Sequence, residues 1–164
     1  MTDTANAKPT PKGLAKKDNY LAIYKANKNK NGAALQLRLH RDHECAFFEA
    51  AQQVGDMDSA TPYDWAKKIV VKLGDSDIGK LLMLLEDKVD TLKLYHQNDK
   101  GSKIIEMKKQ TGNYKGYFLT ISSAAKALGD KPAVNTRVSL PIGDDEAELM
   151  KIALKTAYSR MLGW

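Results

Sequence analysis

The chain has 164 residues, a formal net charge of +6 and a single cysteine. That length suits one domain with its own core, and one cysteine excludes an internal disulfide framework. No apolar run approaches the length of a membrane span, so we expect no membrane partner. Residues 1–17 have no apolar core and are not a secretory signal. We expect residues 1–18 to form a flexible basic tail and residues 19–164 to form one domain.

Two strands joined by a basic turn open the predicted domain. Alternating apolar and polar residues predict strands at residues 19–26 and 32–40, with an Asn/Lys turn at residues 27–31. The stretch from Lys25 to Arg41 contains no acidic residue, so nothing within it neutralises its cations. It is either a solvated hairpin that carries lysines or a binding surface for a polyanion.

The rest of the first half changes from strand to helix periodicity. Residues 44–53 are compatible with a short helix or a strand, and residues 55–62 read as a loop. Residues 65–73 predict a strand, with Ile69, Val71 and Leu73 facing inward and lysines facing outward. Residues 75–88 then predict an amphipathic helix. Its apolar positions, spaced at i, i+3, i+4 and i+7, are Ile78, Leu81, Leu82 and Leu85.

The second half repeats this order of elements. Strands are predicted at residues 92–97, 103–110, 116–122 and 134–142, and a long helix follows. One apolar stripe of that helix contains Ala147, Met150, Leu154, Ala157, Tyr158 and Met161. Both helices are expected to start at a glycine, Gly74 or Gly143, followed by carboxylates that suit the helix dipole. The pattern predicts an α+β fold made of a duplicated ββββα unit.

Charges segregate along this plan. Residues 19–41 carry five cationic side chains and no acid, and residues 103–117 carry four lysines against Glu106. Residues 74–90 carry five acids against two lysines, and residues 144–151 carry four acids against one lysine. The strands are therefore basic and the helix starts acidic, which predicts a strongly positive sheet face.

No motif for catalysis or metal binding is complete. Residues 74–80 fit the start of a phosphate-binding loop, but Leu81 stands where Ser or Thr must hold magnesium. His40, His43 and Cys45 lack a fourth zinc ligand nearby. No nucleophile with its base and no carboxylate pair stands out. We therefore predict a protein that is not an enzyme, with no metal and no cofactor.

Aromatic and basic side chains alternate in three segments. Lysine neutralises phosphate and an aromatic face stacks on any base, so this combination is typical of single-stranded nucleic-acid binding. Any single ring among them could instead pack in the core, as strand rings commonly do. Tyr20 and Tyr24 precede the lysine turn. The predicted nucleic-acid contacts are Lys25, Lys28, Lys30, Arg38, Tyr63, Trp65, Lys67, Lys68, Lys108, Lys109, Tyr114, Lys115, Tyr117 and Phe118.

Short motifs, in matching order and spacing, make the sequence resemble the Whirly proteins over residues 20–164. They are Tyr63-Asp-Trp65-Ala-Lys67-Lys68, Ile78-Gly79-x-Leu-Leu82, Gly116-Tyr117-Phe118-Leu-Thr-Ile-Ser122, Leu140-Pro141-Ile142 and Met161-Leu-Gly-Trp164. Lys30-Asn-Gly-Ala33-Ala34-Leu35 is similar to that family's Lys-Gly-Lys-Ala-Ala-Leu segment, with Gly32 in place of the second lysine.

The resemblance implies a fold, an assembly and a ligand. The fold would have two antiparallel sheets packed roughly perpendicular, plus two helices. The assembly would be a tetramer with helices at its centre and sheets radiating outward, and larger assemblies are possible. Single-stranded DNA would bind along the sheet edges and between protomers without sequence preference. Kinetoplastid mitochondrial RNA-binding proteins share the fold, so RNA is an alternative ligand.

The function predicted from the sequence is single-stranded DNA binding in protection, repair or recombination of DNA. Two alternatives stay open: an RNA-binding or RNA-annealing protein, and an oligomeric scaffold whose basic face contacts a protein. No plastid transit peptide is visible, so we expect a bacterial or phage-encoded protein in the cytoplasm or nucleoid. The alternative location is an organelle nucleoid after processing.

Overall fold

The computed structural model describes residues 20–40 and 45–164. The predicted tail at residues 1–18, Asn19 and residues 41–44 lie outside the described residues. The elements are β1 (Tyr20–Lys25), β2 (Ala33–His40), β3 (Cys45–Gln52), a 3-10 turn (Trp65–Lys67), β4 (Ile69–Leu73), α1 (Asp75–Leu85), β5 (Thr91–Asn98), β6 (Gly101–Lys109), β7 (Tyr117–Ala125), β8 (Val134–Ile142) and α2 (Asp144–Met161).

The strands form two separate antiparallel sheets of four. The first sheet has the order β1-β2-β3-β4 and the second has the order β5-β6-β7-β8, so each strand pairs with its sequence neighbour. A helix follows each sheet. The predicted duplication of a ββββα unit is confirmed.

One core joins both sheets and both helices. Alternate strand residues face inward, among them Leu35 and Phe48 in the first sheet and Ile105 and Leu119 in the second. Strand β8 packs across β1, β2 and β3, and α2 packs against the same three strands. Because the inner face of each sheet is used for this core, the opposite face of each sheet is left for other partners.

The start of the predicted strand at residues 65–73 is wrong. Asp64 precedes a 3-10 turn, and its Oδ1 accepts a hydrogen bond from the Lys67 amide at 3.3 Å. An aspartate that bonds local backbone amides in this way competes with strand pairing. Strand β4 therefore begins only at Ile69. The ambiguous segment 44–53 forms a strand where it is described, and most of its side chains are buried.

The two helices begin in the same way. Asp77 accepts a hydrogen bond from the Gly74 amide at 2.9 Å, and Glu146 accepts one from the Gly143 amide at 2.7 Å. These bonds satisfy an amide at each helix start, as the predicted first-turn acids require. Helix α1 ends at Leu85, three residues before the predicted end at residue 88.

The apolar stripe of α2 closes the protomer. Ala147, Met150, Leu154 and Ala157 are buried in the core, and Tyr158 and Met161 pack against it. This stripe is thus already covered within one chain and is not free to hold an assembly together. The apolar side chains that the helices leave exposed are Met83, Leu149 and Ile152. Neither helix in the described part of the chain has the length and apolar character needed to cross a bilayer.

Candidate nucleic-acid interface

The first sheet presents an outer face, turned away from the core, that we call face 1. Its cross-strand rows follow from the register. One row runs Tyr20, Arg38, Phe47 and Lys72, and the next runs Ala22, Gln36, Glu49 and Val70. A third begins with Tyr24, Ala34 and Ala51. Aromatic, cationic and small residues therefore alternate over one surface.

Three aromatic rings pack together at one end of face 1. The Tyr24 and Tyr63 ring centroids lie 5.7 Å apart with an interplanar angle of 26°, and Tyr63 meets Trp65 edge-on at 6.3 Å. The small side chains of Ala34 and Ala51 form the floor beneath the middle ring. Tyr63 is buried, and burial raises the pKa of its hydroxyl. Tyr63 supports its neighbours, whereas Tyr24 is 53% exposed and Trp65 half-buried.

The lysine turn beside these rings is fixed by the buried side chain of Gln53. Its Oε1 accepts hydrogen bonds from the amides of Asn27 at 2.9 Å and Gly32 at 3.0 Å. Its Nε2 donates to the carbonyls of Asn27 at 2.9 Å and Gly55 at 3.0 Å. All four hydrogen-bonding positions of the amide are used, so the turn is held at a fixed place on the sheet.

Gly32 is required by this packing. A Cβ at this position would lie 1.9 Å from the Lys25 carbonyl oxygen and 2.6 Å from Gln53 Oε1. A lysine here, as in the resembling family segment, would force the backbone apart. The turn lysines are Lys28 and Lys30 instead, and both are exposed.

Carboxylates from distant segments pair with two cations of the basic stretch. Lys30 lies 3.0 Å from Asp56, an exposed pair of little strength. Lys25 lies 2.8 Å from Glu146 at the start of α2, on the opposite side of the sheet from Tyr24. The lack of acid within the stretch therefore does not leave all its cations unpaired.

A buried carboxylate occupies the middle of face 1. Glu49 is 7% exposed, and its Oε2 accepts a hydrogen bond from Lys68 Nζ at 3.0 Å. Arg38 Nε lies 3.7 Å from the same oxygen, and the Arg38 guanidinium also lies 5.4 Å from the centre of the Tyr20 ring. Lys67, next to Lys68, forms no ion pair with any described residue.

The second sheet presents a corresponding outer face, which we call face 2. It contains a shallow groove of about 390 Å³ lined by Lys93, Lys108, Arg137 and Phe118. Lys108 and Phe118, both among the predicted contacts, are direct cross-strand neighbours. The carboxylate on this face, Glu106, is half-exposed and lies 3.5 Å from Lys93.

Several predicted contacts lie away from both outer faces. Lys109 Nζ lies 2.6 Å from Asp87 Oδ1 at the end of α1, and this hydrogen bond holds the pKa of Asp87 below its usual range. The buried Tyr117 donates to the same Asp87 oxygen at 3.3 Å, and burial raises its pKa. Tyr114 and Lys115 are exposed in the loop between β6 and β7.

The predicted contacts leave out five residues that shape these faces, although Tyr24 was noted next to the lysine turn. They are Tyr24, Glu49, Gln53, Lys93 and Arg137. Strand alternation gave a usable signal for Tyr24, because it lies next to the inward-facing Ile23. Glu49 and Gln53 lie in a mostly apolar segment without a regular period. The sequence therefore did not indicate which side of a strand either residue would face.

The described residues contain no group of histidine, cysteine and carboxylate side chains that could hold a metal ion. His40 and Cys45 are cross-strand neighbours, but His43 lies outside the described residues. The described part of the chain therefore provides no support for a zinc site.

The chain is similar to known proteins in sequence pattern and fold. A family model described as "Whirly transcription factor" matches residues 24–153. The fold is similar to WHY3 from Arabidopsis thaliana, with a TM-score of 0.66 and 20% identity over 88% of this chain and 89% of that one. MRP1/MRP2 of Trypanosoma brucei give a TM-score of 0.63 and 13% identity over 91% and 89% of the two chains. A guide-RNA-binding protein complex bound to its RNA gives 0.63 and 13% over 92% and 96%.

None of the curated proteins matches the chain. The structural similarities, all at low identity, establish the fold, and the family match covers well over half of the chain. The structural similarities and the family match both agree with the resemblance carried by the motifs at Tyr63–Lys68 and Gly116–Ser122. The chain belongs to the Whirly family.

Proposed function

We propose that this protein binds single-stranded DNA on face 1, without sequence preference. Membership of the Whirly family supports nucleic-acid binding in general. The observation that favours single strands is the half-exposed Tyr24 ring, which is supported by stacking on Tyr63. Such a ring can stack on an unpaired base, whereas bases in a duplex are already stacked on one another.

The chemistry of face 1 favours tolerance of sequence. Every base has a flat face that a tyrosine ring can stack on, and a lysine contacts phosphate whatever the base. Face 2 offers Lys93, Lys108 and Arg137 around a groove, together with the half-buried Phe118. We assign face 2 a weaker supporting role, because its aromatic side chain lies deeper and its exposed ring, Tyr95, is in no ring pair with another described residue.

The proposed assembly is a tetramer held by the exposed sides of the helices. Leu149, Ile152 and Met83 are large apolar side chains that remain exposed in one chain. Gly79, on the exposed side of α1, has no heavy atom within 4 Å of the place where a Cβ would stand. A glycine inside a helix is unfavourable, so close approach of a second helix would explain it. Binding of DNA across neighbouring protomers would follow.

RNA is the second candidate ligand. The observation that favours it is the similarity in fold to a guide-RNA-binding complex. Stacking and phosphate contacts do not distinguish the two polymers, because neither involves the 2′-hydroxyl.

The proposed role of the protein is protection or repair of unwound DNA, in a cytoplasm or nucleoid.

Competition at fixed salt tests this proposal. Labelled oligo-dT bound to the protein is challenged with unlabelled single-stranded DNA, duplex DNA and RNA of equal length. The proposal predicts that single-stranded DNA displaces the label best and that duplex DNA displaces it least. Displacement by RNA at lower concentration would make RNA the ligand. A protein that binds none of the three would instead fit the oligomeric scaffold.

A further inference from the structure

Glu49 is out of place on a surface that binds phosphate. Among the described strand residues of face 1 it is the one carboxylate, and it lies at the centre rather than at the rim. A carboxylate in that position repels an approaching phosphate. At 7% exposure it also loses most of its hydration, which is unfavourable unless cations surround it.

The cations that surround Glu49 are the same ones that face 1 offers to phosphate. Lys68 Nζ donates to Glu49 Oε2 at 3.0 Å, while its own side chain remains 35% exposed. Arg38 Nε lies 3.7 Å away and forms no hydrogen bond with any described residue, which makes it the looser of the two partners. Arg38 Nη2 donates to Gln36 at 3.3 Å instead.

The Lys68 and Arg38 side chains are therefore accessible from solvent and are also paired with the buried carboxylate of Glu49. A phosphate that contacts Lys68 must share the ammonium group with Glu49 or displace it. Carboxylate and phosphate are both anions that accept charge-assisted hydrogen bonds from lysine and arginine. The free protein thus carries, inside face 1, an anion that imitates part of its ligand.

We propose that Glu49 is an internal competitor for phosphate, which occupies Lys68 and Arg38 in the free protein and limits the affinity for single-stranded nucleic acid. This inference rests on the proposed function of face 1. Neutralising Glu49 releases both cations, so more of them are neutralised by the ligand. The number of phosphate contacts sets the slope of log affinity against log salt concentration, with about 0.7 per contact for a single strand.

The first test is the salt dependence of oligo-dT binding by Glu49→Gln. Glutamine has nearly the same shape and still accepts a hydrogen bond from Lys68. We expect binding about three- to ten-fold tighter at moderate salt, with a slope steeper by about 0.7 to 1.4. The matched control is Glu148→Gln on the exposed side of α2, which makes the same change in net charge far from face 1. The control should leave the slope unchanged.

The second test compares neighbouring lysines and does not require the Glu49 variant to fold. Lys67→Gln removes a cation with no described ion pair, and Lys68→Gln removes one that Glu49 already occupies. We expect Lys67→Gln to weaken binding more than Lys68→Gln. In a Glu49→Gln background the loss caused by Lys68→Gln should become larger.

The outcomes separate the inference from the proposed function. If the parent protein binds no oligonucleotide, the proposed function fails. If the parent binds but Glu49→Gln keeps the parent slope and affinity while melting at a lower temperature, Glu49 only stabilises the sheet and the inference is overturned. An equal or greater loss for Lys68→Gln than for Lys67→Gln in the parent background overturns it as well.

Discussion

The two outer faces have the same strand order and different chemistry. Tyr24 is the fifth residue of β1 and Tyr95 is the fifth residue of β5. They are similarly exposed, at 53% and 58%. Tyr24, however, stacks on Tyr63, whereas Tyr95 lies across from Ile104 and bonds its hydroxyl weakly to Gln97 at 3.4 Å.

The comparison also extends to the acids. Glu49 on face 1 is buried between two cations, and Glu106 on face 2 is half-exposed beside one. The duplicated scaffold thus determines where side chains point, while the residues of each half determine what the face can bind. Face 1 has a rigid aromatic platform and face 2 has a cationic groove.

The largest expected effect contrasts the two tyrosines. Tyr24→Ala should weaken oligo-dT binding by about 1–3 kcal/mol, or roughly 5- to 150-fold, because one stacked base is lost. Tyr95→Ala, measured by the same fluorescence anisotropy assay, should cost much less. Equal losses would show that the two faces contribute alike and would remove the distinction between them.

A smaller effect is expected from the lysine turn. Lys28→Gln together with Lys30→Gln should weaken binding several-fold and lower the salt slope by up to about 1.4. Melting should be unchanged, because exposed lysines contribute little to stability. Among the single variants, Lys28→Gln should have the larger effect, since Asp56 already pairs with Lys30. Unchanged affinity would show that residues 25–41 are a solvated hairpin that does not bind nucleic acid. A large fall in melting temperature would show that the lysines act in assembly instead.

The helices provide a third contrast between the halves. Gly79 is the fifth residue of α1, and Glu148 is the fifth residue of α2. Gly79→Ala should stabilise the isolated protomer by about 1 kcal/mol through helix propensity. In sedimentation it should also dissociate the tetramer, because its Cβ would separate the helices. Glu148→Ala is the control. A stabilised variant that sediments like the parent would rule out a helix contact at Gly79, and a monomeric parent would rule out the tetramer.

The smallest expected effect is the pH dependence of the junction between the halves. Lys109 lowers the pKa of Asp87, and Lys155 lowers that of Glu86. The unfolded chain therefore binds protons more readily than the folded one. This contribution to stability is present above about pH 4–5 and is lost as the pH falls through the lowered pKa values. Asp87→Asn keeps a residue tolerant of the positive φ of 59°. It should flatten the acid side of the melting-temperature profile, and an unaltered profile would contradict the role assigned to Asp87.

The sequence predicted the fold more fully than the site. Alternation in β2 and the stripe of α2 each depend on burial, so periodicity was enough to place Leu35 and Leu154. The strand predicted from Trp65 failed because one local hydrogen bond from Asp64 overrode the pattern. The repeated order of elements gave the duplication directly.

The candidate site depends on contacts between residues far apart in sequence. Tyr63 was predicted to bind a base, but Tyr24 and Trp65 flank it on both sides. Lys109 and Tyr117 are adjacent in sequence to Lys108 and Phe118, which lie on face 2. Strand alternation places Lys109 and Tyr117 on the other side of the sheet, where both contact Asp87. Composition near a lysine therefore did not separate side chains on the outer faces from those on the inner side of a sheet.

The most direct test of the central claim uses the fluorescence of Trp65, which lies at the edge of face 1. The chain has two tryptophans, so Trp164→Phe leaves Trp65 as the one reporter. Titration with oligo-dT should change its emission saturably, with the midpoint that anisotropy gives and with reversal by salt. Binding detected by anisotropy with no change in Trp65 emission would contradict the assignment of face 1 as the nucleic-acid surface.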